Sequence, residues 1–145
     1  MRSIVLPWIF AVTALGSPPR HFDVAASYVA PSERGKPGAV SVLFSPTDPD
    51  VHINEEPAPR LKLEPGQTVL VDRQPGAPAR AADFDPEKTH YLDLAKPVRF
   101  PVAIAPKAPK GKQEMTANVV YFYCSKREGW CRRGTALLEF TVEVP

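Results

Sequence analysis

The chain has 145 residues, 43% of them apolar, which suits one domain with its own core rather than two. Its 18 basic and 16 acidic residues leave a net charge of +2, with no coherent basic face, and this argues against nucleic acid as a partner. Eighteen prolines, more than twice the ordinary share of about 5%, argue against long helices, because an interior proline removes a donor and clashes with the preceding turn.

Residues 1–16 read as a secretory signal peptide. Met1, Arg2 and Ser3 are a short positive start, residues 4–15 (IVLPWIFAVTAL) are an apolar run, and Ala14 and Gly16 supply the small residues of a cleavage site. The run is short for a membrane span, and no later apolar run is long enough. The mature chain, 17–145, is therefore expected to be exported, to the periplasm or the extracellular space, with no membrane span.

The mature chain alternates apolar and polar residues with the two-residue period of strands. Residues 22–30 (FDVAASYVA) predict an edge strand, and Val40, Val42 and Phe44 a second. Residues 51–54 are a short extended piece. Leu61 and Leu63 alternate with Lys62 and Glu64 ahead of the Pro65-Gly66 turn, and residues 68–72 (TVLVD) are strand-like again. A Pro/Ala/Arg loop follows at 73–82, then a short apolar piece at 91–94. Val98, Phe100, Val102 and Ile104 predict a strand in which Pro101 should lie at a bulge or face an open edge. Residues 116–124 and 135–144 predict two strong final strands. Seven or eight short strands without an amphipathic helix predict an all-β fold, an immunoglobulin-like antiparallel sandwich, with a closed barrel as the alternative.

The only two cysteines, Cys124 and Cys131, have six residues between them in YFYCSKREGWCRRG. One would end a strand and the other begin the next, so a hairpin would bring their Cβ atoms together. In an exported chain an even pair of thiols is expected to oxidise. A closed loop of about eight residues predicts roughly 2.5 kcal/mol from the bridge by the chain-entropy estimate, which a domain of this size does not depend on. Simple pairing puts Val120, Phe122, Arg133, Thr135 and Glu139 on the cysteine face and Leu138 and Phe140 on the other; a bulge at Gly134 would swap the faces. Lys126, Arg127, Arg132 and Arg133 would favour a thiolate. Tyr123 and Trp130 are candidates to shield the sulfurs or to offer a partner an apolar contact.

The segment VVYFYCSKREGWC, with PVRFPVAIAP before it and LLEFTVEVP after it, resembles the periplasmic N-terminal domain of the DsbD thiol:disulfide interchange proteins. It is similar also to the related β-domain of NHL-repeat thioredoxin-like proteins, through His52-Ile53-Asn54, the proline-rich loop and Leu61-x-Leu63. The resemblance implies an immunoglobulin-like fold and a Cys124–Cys131 pair that exchanges disulfides with a thioredoxin-like partner, Cys131 attacking. Tyr121 and Tyr123 match the family's aromatic lead-in; with Trp130 they are the expected partner-binding residues. The family's loop is typically one residue shorter, and aromatic and proline residues often stand where this chain has Arg132 and Arg133. The phenylalanine-bearing cap loop and the family's acids have no secure match, with Glu55 and Glu56 as candidate acids, and the resemblance does not extend to the family's transmembrane and thioredoxin-like portions.

No cofactor and no metal is expected. His21, His52 and His90 lack ligand spacing, and Asp83, Asp85 and Glu87 read as a solvated loop. There is no phosphate loop and no nucleophile elbow. Two functions stay open: a disulfide-exchange module working through Cys124 and Cys131, and a non-catalytic secreted binding or assembly module with a structural hairpin disulfide.

Overall fold

The computed structural model describes residues 20–76 and 90–145. The expected signal peptide, the end of the Pro/Ala/Arg loop, and Asp83, Asp85 and Glu87 lie outside the described residues. The described residues form eight strands and no helix: β1 Phe22–Val29, β2 Gly38–Pro46, β3 Val51–Ile53, β4 Arg60–Leu63, β5 Leu70–Asp72, β6 Val98–Ile104, β7 Gly111–Ser125 and β8 Trp130–Val144. All pairings are antiparallel.

The strands make two sheets. One runs β1-β2-β6-β5. In the other, β7 pairs with β8 along one side and with β4 and then β3 along the other. The two-residue period decides what each sheet turns inward. Val40, Val42, Phe44, Phe100 and Val102 of the first sheet meet Leu61, Met115, Val119, Leu138, Phe140 and Val142 of the second in one buried cluster. This is a β-sandwich: no strand pairing joins the two sheets among the described residues, which a closed barrel would require.

Two apolar segments contribute less strand than their patterns suggest. Residues 68 and 69 stay outside β5 because Gln67 Oε1 accepts the backbone N–H groups of Val69 and Leu70, at 3.0 and 2.9 Å. The piece at 91–94 reaches the second sheet only through a bridge between Tyr91 and Asn54 and a bond from the Leu92 N–H to the Ile53 carbonyl.

Pro101 lies in the inner strand β6, not at an open edge. Its carbonyl accepts the Arg73 N–H at 3.0 Å, so its nitrogen faces the same way, just past the end of β5 at Asp72. A residue without an N–H disturbs least where the neighbouring strand has run out.

Gly134 makes no bulge. The β7–β8 register is unbroken, and Gly134 stands directly opposite Tyr121. A Cβ on Gly134 would come within 2.6 Å of the Tyr121 ring, which also lies 5.2 Å from Phe44 and 5.8 Å from Phe22, centroid to centroid. The ring could give way only by leaving this aromatic packing. Gly134→Ala is therefore expected to cost about 1–3 kcal/mol, read as a lowered midpoint in urea unfolding of the oxidised protein; an unchanged midpoint would show that Tyr121 can move aside.

Burial raises the Tyr121 hydroxyl above the ordinary value of 10.0, with Tyr123 adding to the effect, and burial does the same at Tyr28. A phenol that holds its proton more tightly folded than unfolded contributes stability below pH 10, and loses it as pH rises through the raised value. Unfolding measured from pH 9 upward should show falling stability, with a shallower fall in Tyr121→Phe.

Candidate functional site

The site sits where β7 turns into β8. Cys124 and Cys131 pair directly in the register and form a disulfide, with an S–S distance of 2.01 Å and Cα atoms 4.0 Å apart. The four-residue turn between β7 and β8 is shaped by Ser125 and Gly129. The Ser125 carbonyl accepts the Gly129 N–H at 2.9 Å and its hydroxyl accepts the Glu128 N–H at 3.2 Å. Gly129 takes a φ of 71°, which suits glycine at this turn.

The direction of the backbone groups explains why the cysteines meet. The Asn54 N–H donates to the Phe122 carbonyl at 2.8 Å, so the polar groups of Phe122, and two residues on those of Cys124, turn toward β3. Cys124 and Cys131 are then a non-hydrogen-bonded pair, the kind in which side chains come closest. The backbone N–H and C=O of Cys131 correspondingly point away from β7, toward the edge of the sheet.

With no bulge in the way, the register assigns the faces. Tyr121, Val119 and Leu138 point into the core, so Cys124 and Cys131 lie on the outer face of the sheet. Yet Cys124 is fully buried, at 0% exposure, while Cys131 is partly exposed. The cover over Cys124 belongs to an outer patch. His52 pairs directly with it across β3. The Oδ1 of Asn54 lies 3.2 Å from its Sγ. Tyr91 stands beside both, bridged to Asn54 and with its ring 5.0 Å from that of His52, and the Lys126 ammonium sits 5.1 Å from the Tyr91 ring centre.

The contact between Asn54 and Cys124 has an uneven character. A disulfide sulfur carries no proton, so nothing there donates to Oδ1. The Nδ2 of the same amide is buried without a hydrogen-bond partner, and Asn54 is 0% exposed. A polar group left this way costs about 1–3 kcal/mol.

The aromatic residues expected to bind a partner occupy the other face. Tyr121 is a core residue, 8% exposed. Tyr123 and Trp130 are half-buried and pack edge to face at 5.7 Å, with the His21 ring 5.5 Å from Tyr123 and 5.6 Å from Trp130. They do not shield the sulfurs: an even number of residues from Tyr121 on β7 and from Gly134 on β8, they turn to the inner side. His52, Asn54 and Tyr91 form the cover instead. Of the four basic residues around the pair, Arg132 stacks on Trp130 at 4.2 Å and Arg127 pairs with Asp50 at 2.8 Å. Arg133 stands on the sulfur face, and Lys126 reaches it over Tyr91. Glu55 and Glu56 are exposed beyond Asn54.

Asn54, named in the linear sequence only as part of the His52-Ile53-Asn54 resemblance, is the residue whose place beside the cysteines it did not reveal. The two-residue period puts it on one face with His52, but only the pairing of β3 with β7 brings that face to Cys124. No group of three or more His, Cys, Asp or Glu that could hold a metal occurs among the described residues. No helix among them is long and apolar enough to cross a membrane. Comparison with protein-family models, with curated proteins and with solved structures gave no match.

After reduction, Cys131 should react with iodoacetamide at least roughly tenfold faster than Cys124, because access sets thiol reactivity alongside thiolate content. Mass spectrometry of the partly alkylated protein reads the ratio. Equal rates would mean that the cover over Cys124 opens on reduction.

Proposed function

We propose that this chain is an exported disulfide-exchange module of immunoglobulin-like type, passing electrons between thioredoxin-like partners through Cys124 and Cys131. The observation that carries the reading is the asymmetry of the bridge: it lies outside the core, with one cysteine partly exposed and the other covered. A strand order of β1-β2-β6-β5 against β3/β4-β7-β8 follows the arrangement of constant-type immunoglobulin sandwiches and supports that part of the reading. The resemblance of YFYCSKREGWC to the DsbD domain supports the activity.

In the oxidised domain a partner thiolate attacks the accessible sulfur, Cys131 Sγ. The Cys124–Cys131 bond breaks, and Cys124 departs as a thiolate that takes up a proton. A second thiolate of the partner then attacks its own sulfur in the mixed disulfide and releases Cys131 as a thiolate. The partner has lost two electrons and the domain has gained them. The reverse sequence, begun by Cys131, reduces the next disulfide. Among the described residues no further strand pairs with β8 beside Cys131, which leaves backbone groups that an incoming strand can pair with, and Trp130 offers it an apolar ledge.

The bridge is not needed to hold its strands together. β7 and β8 are 15 residues each and paired throughout. Full burial of Cys124 favours the second reading, a structural hairpin staple in a non-catalytic module. The reduction potential separates the two. Exchange requires a value above about −300 mV in glutathione or dithiothreitol buffers, and a staple a value below it. A Cys124→Ser variant, which keeps Cys131, should trap a mixed disulfide with an oxidised thioredoxin-fold protein, and Cys131→Ser should trap little; equal trapping, or none, would remove the asymmetry on which the reading stands.

A further inference from the structure

The amide of Asn54 is the polar group least well served in the described structure. It is fully buried, one end faces a disulfide sulfur at 3.2 Å, and the other end has no partner. Turning the amide over does not cure this. Nδ2 would then meet Cys124 Sγ, at best a weak acceptor, and Oδ1 would take the unserved position. Its backbone fixes it there, through the N–H bond to the Phe122 carbonyl and the bridge to Tyr91.

Breaking the S–S bond changes what the sulfur offers. A Cys124 thiol has a proton to donate to Oδ1. A Cys124 thiolate is a full acceptor for Nδ2–H with the amide turned over. Either protonation state of reduced Cys124 serves Asn54 better than the disulfide does. From this we infer that Asn54 is a positioning residue that favours the reduced form of the pair and makes Cys124 the departing sulfur. It acts through the amide end that faces Cys124, which is served only when Cys124 is free, while the far end has no partner in either state. The inference rests on the exchange reading for its use, though its effect on the couple is independent of any partner.

The thermodynamic consequence is direct. A penalty present only in the oxidised state shifts the thiol–disulfide equilibrium toward reduction. At the lower end of the cost of one buried unsatisfied group, the shift is about tenfold, which for a two-electron couple corresponds to about 30 mV. The potential should therefore be measured in glutathione buffers for the wild type and for Asn54→Leu, a replacement of similar size without the polar atoms. The expected result is an equilibrium about tenfold more in favour of the disulfide in Asn54→Leu.

A second measurement guards against a variant that is merely misfolded. Thermal unfolding of oxidised Asn54→Leu should be no easier than that of the wild type, since two unserved amide ends have been removed, while its reduced form, which loses only one, should gain less. Asn54→Asp supplies a third reading. A carboxylate beside Cys124 opposes the thiolate, so the Cys124 thiol in a Cys131→Ser background should titrate higher, followed by thiolate absorbance. An Asn54→Leu couple within threefold of the wild type, with both forms folded, would overturn the inference. Failure of the domain to form mixed disulfides, with the tenfold shift intact, would overturn the exchange reading and leave the role of Asn54 standing.

Discussion

The unbroken pairing of β7 with β8 is the constraint on which the site depends. The pairs from Gly111 with Val144 to Ser125 with Trp130 follow without a slip. Because side chains alternate sides, one inserted residue anywhere along this ribbon would reverse every face beyond it. Val119, Leu138 and Phe140 anchor the parity at the core end. At the far end the same parity turns the disulfide outward and the aromatic residues inward. Gly134 is where the ribbon is most at risk, and the Tyr121 ring lying across it fills the space a side chain would have taken.

The tip of the hairpin thus has two differently furnished sides. On the inner side Tyr123, Trp130 and His21 continue the aromatic packing that begins at Phe22 and Phe44. On the outer side β3 and the bridge at Tyr91 add a thin layer of polar and aromatic groups over Cys124. This layer explains how a cysteine can be wholly buried without belonging to the core. The hydrophobic cluster between the sheets includes Tyr121 and Val119 but not Cys124. Burial alone would have suggested a structural sulfur. Burial by His52 and by an amide with an unserved end is a different environment, because its groups can respond to a change in the sulfur.

Much of this was legible in the sequence because a strand records its two faces in its own alternation. The β2, β6, β7 and β8 patterns each stood out through apolar residues two apart. The pairing of Cys124 with Cys131 was legible too, since a hairpin needs only local spacing. The face was not. It turned on whether Gly134 inserted a bulge, and a glycine opposite a tyrosine reads the same as a glycine in a bulge until the partner strand is known. Asn54 was hidden for the same reason. It sits 70 residues from Cys124 along the chain, just past a three-residue strand too short to have a period of its own. The start of β5 was misjudged because the Gln67 side chain claims two backbone donors that an apolar pattern cannot reveal.

β8 borders its sheet, and such a border invites a second copy of the chain to zip onto it. The outward row of this strand reads Arg133, Thr135, Leu137, Glu139, Thr141 and Glu143, with Leu137 64% exposed. Two carboxylates toward its far end would repel a parallel twin laid alongside in register, and only Leu137 breaks the polar row. The strand that carries the accessible sulfur thus sets like charge against a parallel copy of itself at Glu139 and Glu143, at the end away from Cys131.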